Sequence, residues 1–455
     1  MRKLVTSQTS IAPLAVFRAL FGAVMLASIV RFAAKGWIGE LYVEPTYFFS
    51  YYGFEWVAAP GEAGMYALFL IMAVAAAGIM LGRHYRVAAL VFFLTFTYVE
   101  LIDKTNYLNH YYFVSIISFL LIWVPANRRF SLDVRKRPEL RVDTVPAWTV
   151  NIFKLQLGLV YFFAGLAKLH PEWLLDAMPL ALWLPAHAHL PIVGGLLEEP
   201  LTAYALSWAG AAYDLTIVFF LMWSRTRVAA YAAVVVFHLT TALLFPIGMF
   251  PYIMILCTLI FFPAAFHERV IGWMQRGGTS DASPVPFRLT GLASSALATL
   301  MVLHFTLQIL LPLRAFTYPG ELFWTEEGYR FSWRVMLMEK AGHAVFKVRD
   351  PATGRQWEVA NWEHLTRTQE KMMSTQPDMI LQFAHYLEDH YREQGLSDVA
   401  VTAEAHVTLN GRRSRLLVDP AVDLTEIEAG LRHKTWILPL EDRDDRWIGR
   451  LRGTP

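Results

Sequence analysis

Long apolar runs separated by short polar connections fill the first two thirds of the chain, and short alternating runs follow. Apolar stretches of roughly 17 to 25 residues can cross a bilayer as helices. Nine candidates lie near 11–32, 64–82, 85–102, 107–125, 148–168, 203–224, 227–245, 248–264 and 287–312. The length of the first, and its lack of a small-residue cleavage site, predict a retained helix rather than a signal peptide. Beyond residue 312 hydropathy falls. Segments 329–336, 344–348 and 399–409 alternate with the period of strands. Asn410-Gly411 is a hairpin-turn signal, and 366–394 has the length and period of one amphipathic helix. The pattern predicts a polytopic α-helical membrane protein of about nine transmembrane helices, residues 1–312, followed by a mostly β (α+β) domain, residues 313–455. No internal repeat is visible, and 277–286 is the linker-like stretch.

Charge sets the orientation. Alternating the loops between sides gathers Arg2, Lys3, Arg83, Arg86, Arg128, Arg129, Arg135, Lys136, Arg137, Arg141, Arg225, Arg227, Arg269 and Arg276 on one face, a strong positive-inside signal. Loops 36–61, 169–200 and 245–248 fall on the other face, as does everything after residue 312. The C-terminal domain is therefore expected outside the cytoplasm of a multi-pass cell-membrane protein. With 55% hydrophobic and 17% charged residues the chain is too apolar for soluble domains of this length. A net charge of +2 gives nucleic-acid binding no support. One cysteine, Cys257, excludes an intramolecular disulfide and a cysteine-rich metal site. Walker, HExxH, GxSxG and CxxC signatures are absent and the histidines lack metal-ligand spacing, so no metal is expected.

Ionisable groups inside membrane helices are costly unless they face a cavity or a partner, which makes each a functional candidate. Lys168 closes the fifth stretch, His110 opens the fourth, His238 sits in the outer half of the seventh and Asp214 lies within the sixth. Asp103, Lys104, Asn106 and Asn109 share their depth, which predicts a common polar pocket toward the outer face. Burial disfavours an ammonium, so a buried Lys168 would be ready to act as a base. The alternative is that Lys168 snorkels, that the histidines only bridge helices, and that Asp214 merely pairs with a cation. Arg18 and Lys154 lie within reach of the cytoplasmic face and are expected to snorkel. The glycine- and aromatic-rich runs 161–165 and Leu244-Phe-Pro-Ile-Gly-Met-Phe-Pro-Tyr252 would set flat walls, including Tyr161 and Phe250, beside these groups. Such walls suit a lipid-soluble ring, or simply tight packing through glycine.

Several blocks resemble the vitamin K-dependent γ-glutamyl carboxylases, whose membrane region is shared with bacterial HTTM-domain proteins. They are Asp103-Lys-Thr-Asn-Tyr-Leu-Asn-His110, Tyr161 through Lys168 to Trp173, Leu197-Glu-Glu-Pro-Leu201 with Tyr213-Asp214-Leu215, and Phe237-His238 followed by 244–255. In the tail 329–336, Val418-Asp-Pro-Ala-Val-Asp423 and Thr435-Trp436 continue the resemblance. It implies a lyase with quinol epoxidase activity, using reduced vitamin K or menaquinol, dioxygen and carbon dioxide, without a metal. In that family an amine takes a hydroquinone proton, oxygenation then makes a base strong enough for the glutamate γ-carbon, and the carbanion captures carbon dioxide. The resemblance implies Lys168 as initiating base and His110 as a second catalytic group. It implies Asn109 and His238 as cofactor-binding residues; the aromatic walls Tyr161 and Phe250 complete the expected cofactor-binding set, and Asp214 and Asp103 are expected as structural polar residues. A glutamate-containing peptide or protein would be the partner, received near 329–333, in a cell membrane of the bacterial inner-membrane kind. Two other readings stay open: a quinol monooxygenase that forms epoxide without carboxylation, and a non-enzymatic transporter or quinone- and lipid-binding protein. A transporter usually shows repeated half-helices broken at the midplane.

Overall fold

The computed structural model describes residues 7–274, 287, 292–396 and 398–440. Arg2, Lys3, Arg276 and the linker-like 277–286 lie outside the described residues. In chain order the main helices of the first part are α1 (Ala12–Ala34), α2 (Gly61–Leu81), α3 (Tyr85–Ile102), α4 (Asn109–Trp123), α5 (Trp148–Lys168), α6 (Pro200–Met222), α7 (Arg227–Leu244), α8 (Phe250–Thr258), α9 (Ala264–Met274) and α10 (Leu292–Leu313). Among the described residues seven helices, not nine, are long and apolar enough to cross a membrane, or eight if one bent pair counts as a span. The shortfall has two causes. α4 has 15 residues because Leu108 and Val124 at its ends are extended, giving a rise of about 22 Å against a hydrocarbon core of about 30 Å. The helical run from α8 turns 114° into α9, where Phe262 is extended before Pro263. Leu70, Val74, Leu94, Phe219, Val236 and Val302 point outward, as a lipid-facing belt requires.

Arg18 does not snorkel. It is fully buried, and its guanidinium donates to the carbonyls of Ala126 (3.2 Å), Met80 (2.7 Å), Ile79 and Phe130. Five fixed N–H donors let an arginine satisfy itself on carbonyls at the end of α2 and in the loop after α4, which a composition argument does not foresee. Lys154 is half-buried. On the same side Arg129 binds Asp143 (3.4 Å) and Glu268, and β1 (Gln8–Ser10) pairs antiparallel with β2 (Thr144–Pro146).

The C-terminal part carries a four-stranded antiparallel sheet in the order β4-β3-β5-β6, from β3 (Lys340–Arg349), β4 (Gln356–Glu358), β5 (Ala400–Leu409) and β6 (Arg415–Leu416). Ala403, Ala405, Val407 and Leu409 of β5 are buried while the residues between them are half-exposed, the two-residue alternation of a one-sided sheet. Asn410 (φ 49°) and Gly411 (φ 74°) are both left-handed, as the turn signal demands. Two expectations need correction. Segment 366–394 forms two helices, α11 (Arg367–Met373) and α12 (Pro377–Glu393), because Pro377 lacks an amide donor and holds Gln376 extended. Segment 329–336 is no strand: Phe331, Trp333 and Met336 have φ of 63°, 59° and 56°. Its alternate aromatics instead pack on α4, with Trp333 stacked on Tyr112 at 5.0 Å and Phe331 edge-on to it at 4.9 Å.

The sheet's apolar core continues into the membrane part. Phe346, Phe383 and Val407 share one buried cluster with Trp173, Leu180, Leu184 and Leu197 of the 169–200 loop. Charges also cross the seam: Lys104 and Arg330 both bind Asp378, at 3.0 and 2.7 Å. Burial opposes the Asp378 charge, but the Arg330 and Lys104 cations outweigh it and hold the carboxyl well below the usual range. A folded-state value below the unfolded value of about 3.9 means stability that is present above that pH and lost progressively as pH falls below it through the folded value. The melting midpoint of Asp378→Asn in detergent is therefore expected below that of wild type at pH 7, with the gap narrowing below about pH 4. A gap that stays constant to acid pH contradicts this account.

Candidate active site

The site starts from a glycine. A Cβ at Gly165 of α5 would lie 2.8 Å from the backbone nitrogen of Leu215 on α6, so these helices touch only because the position is glycine. One turn further on, that approach sets Lys168 Nζ 2.6 Å from Asp214 Oδ2. The ammonium also donates to the Ala164 carbonyl at 3.4 Å and lies 5.4 Å from the centre of the Trp173 ring. Trp173 is fixed in turn by its indole N–H on the Ser207 carbonyl, 2.7 Å. Lys168 is 6% and Asp214 5% exposed. The lysine thus turns inward and does not snorkel, and the cation beside Asp214 is Lys168 itself. Lys168 can act as a base only after releasing a proton, and Asp214 is the acceptor within reach.

Two turns back along α5, about 10 Å, the Tyr161 hydroxyl and His238 Nε2 are 3.1 Å apart. Tyr213, the neighbour of Asp214, stacks on Phe237 at 4.1 Å. His238 meets the Phe250 ring edge-on at 5.6 Å, and His110 lies 5.9 Å from the same ring, tilted to it. Tyr161, His238, Phe250 and His110 therefore form one continuous belt. His238 is 1% exposed and its Nδ1 has no partner among the described residues. In the tautomer in which Tyr161 donates to Nε2, the ring carries its proton on that Nδ1, as a buried donor without an acceptor. Flat aromatic walls and one unclaimed donor fit the ring and oxygen of a quinol.

Asn109 and Asp103 serve the seam with the C-terminal domain. Asn109 accepts from the Tyr107 hydroxyl (3.1 Å) and donates to the Arg334 carbonyl (3.0 Å), and Tyr107 accepts from the Phe331 amide (2.8 Å). Asp103 accepts from the Thr105 amide (2.8 Å) and from Gln369 (3.0 Å), and so faces α11 rather than Lys168. A cavity of about 590 Å³ is lined by Asn109, His110 and Phe250 together with Tyr329, Arg330 and Arg334. A larger one, about 840 Å³, reaches between Phe93, Phe119 and Gln308. Lys104, Glu326 and Arg330 line both.

Sequence reasoning missed two polar groups. Gln156 bonds Gln308 and His304, each at 3.2 Å, and Gln308 donates to Tyr112 at 3.0 Å. The signal was present: these are polar residues within apolar stretches. Glu172, inside the block around Lys168, accepts from both Arg412 and Asn410, and only the tertiary fold brings those residues together. Among the described residues no group of three His, Cys, Asp or Glu side chains is placed to hold a metal ion.

The HTTM domain model matches residues 7–266. The model for the lumenal domain of vitamin K-dependent gamma-carboxylase matches residues 293–443. No solved structure matches the chain. The helical part and the sheet domain are thus each matched, in the order in which they occur, and the sheet domain is matched to a domain described as lumenal. The chain belongs to the vitamin K-dependent gamma-carboxylase family.

Proposed function

We propose that the protein couples oxygenation of a vitamin K-type quinol to carboxylation of glutamate in a peptide or protein, at the outer face of the membrane. The observation that carries this reading is the buried Lys168–Asp214 pair at the end of the Tyr161–His238–Phe250–His110 belt. With dioxygen the quinol supplies the oxidation that makes a base strong enough for a γ-carbon, ending as epoxide and water while the γ C–H bond is replaced by a C–C bond to carbon dioxide. The chain's own work is to bind, to orient and to move protons. Lys168 Nζ gives a proton to Asp214 and takes one from the quinol hydroxyl as general base. His238 Nδ1–H, held by Tyr161 on the opposite ring nitrogen, orients a quinol oxygen, and His110, beside Phe250, faces the same ring. The apolar helix walls keep water away from the strong base. Segment 329–333, packed on α4, brings the peptide to the cavity beside His110.

Purified protein in nanodiscs, supplied with reduced vitamin K or menaquinol, labelled bicarbonate and a short Glu-rich peptide, is expected to yield labelled peptide and quinone epoxide together. Epoxide without peptide label replaces this reading with the monooxygenase. Neither product, with the quinol shown to be reduced throughout, replaces it with a non-enzymatic quinone- or lipid-binding protein.

A further inference from the structure

The cavity beside His110 is lined by five cations, Arg31, Lys35, Lys104, Arg330 and Arg334, against one carboxylate, Glu326. Most of these charges are already engaged. Lys104 and Arg330 share Asp378, Glu326 binds Lys340 at 2.8 Å, and Arg31 and Lys35 each sit 4.9 Å from the Trp37 ring. Arg334 is different. It is 6% exposed, its Nε has no partner, and its guanidinium pairs with no carboxylate among the described residues, lying only 5.7 Å from the Phe316 ring. Burial without an anion pulls it below the ordinary arginine range. A buried guanidinium without an anion is costly, and a planar fork of donors is matched best by a carboxylate held through two parallel bonds.

The backbone around it is built to hold that position. Trp333 just before Arg334, and Met336 two residues after it, are left-handed, a conformation that costs non-glycine residues of order 1–3 kcal/mol each and persists where surrounding contacts impose it. The Arg334 carbonyl accepts from Asn109, the residue next to His110. The segment is thereby tied to the start of α4, and the arginine lines the same cavity as His110 and Phe250.

We infer that Arg334 is the anchor for the side-chain carboxylate of the glutamyl substrate, holding it in the cavity beside His110. The inference rests on the proposed reaction for the identity of the ligand, but its geometry does not depend on the quinol chemistry. Arg334 is a substrate-binding residue and acts on no quinol atom. It selects a peptide carboxylate over the isosteric amide, because an amide cannot neutralise the guanidinium.

The test is equilibrium binding without quinol. A fluorescently labelled Glu-containing peptide and the same peptide with Gln in place of Glu are titrated onto wild type, Arg334→Gln and Arg334→Lys in nanodiscs. Wild type is expected to prefer the Glu peptide by roughly ten- to a hundredfold, the range of a charge-assisted hydrogen bond. Arg334→Gln is expected to abolish that preference while still binding quinone, which reports a folded membrane part, and Arg334→Lys to keep part of it. An unchanged preference in Arg334→Gln overturns the inference. So does a wild type that does not discriminate while the coupled assay makes carboxylated peptide, and in that case the proposed reaction stands. Discrimination lost in Arg334→Gln, with no carboxylated product from wild type, keeps the anchor and discards the reaction.

Discussion

Lys168→Ala is expected to lower both peptide carboxylation and quinone epoxide formation by roughly 10²–10⁴-fold, the range for loss of a positioned general base. Quinone binding is expected to persist, because the aromatic belt and His238 do not depend on the lysine. The substitution has a second effect. It leaves Asp214, 5% exposed, without the cation it pairs with, and removing one partner of a buried pair costs about 3–5 kcal/mol. A dead Lys168→Ala could therefore be a misfolded one. The double variant Lys168→Ala with Asp214→Asn separates the two effects, since it removes the orphaned charge. It is expected to recover melting temperature but not turnover. Turnover near wild type in either variant, with label and epoxide followed together, removes Lys168 as the base.

How much of this was legible depended on the kind of contact. Lys168, Asp214, His238 and His110 stood out as isolated ionisable groups in apolar stretches, and helical geometry alone puts Tyr161 and Lys168, seven residues apart, on one face of α5. The pairing of Lys168 with Asp214 was not readable, because it depends on how closely α5 and α6 approach at Gly165. Asp103 and Asn109 share the depth of the other candidates, yet their hydrogen bonds go to Gln369 and Arg334, more than 220 residues away in sequence. Segment 329–336 misled for a physical reason. Its alternate aromatics obey the period of a strand, but they bury against α4 through left-handed residues, none of them glycine, so no local signal marked the turn. By contrast the break between α11 and α12 was written at Pro377. The sheet alternation in β3 and β5 was visible because one face is buried and the other is not.

Glu172→Ala is the structural counterpart to the Lys168 experiment. Glu172 lies four residues beyond Lys168 and is 3% exposed, and it accepts from Arg412, 7% exposed, and from Asn410, 1% exposed, just after β5. Truncating the carboxylate strands a buried guanidinium, at a cost of about 3–5 kcal/mol. That cost falls on the joint between the sheet domain and the turn that follows the candidate base. The expected result is a lower melting temperature in detergent and faster limited proteolysis across the seam. Turnover should also fall, because the same docking holds segment 329–336 against α4. The double variant Glu172→Leu with Arg412→Met replaces the ion pair by apolar side chains and is expected to recover most of the loss, as such swaps often do. Recovery should stay incomplete, since Asn410 keeps its bond from the Glu339 amide (2.8 Å) but loses its acceptor, at about 1–3 kcal/mol for a buried unsatisfied group. If Glu172→Ala melts together with wild type, this ion pair does not hold the two domains together, and the shared apolar core of Trp173, Leu180 and Phe383 carries the joint alone.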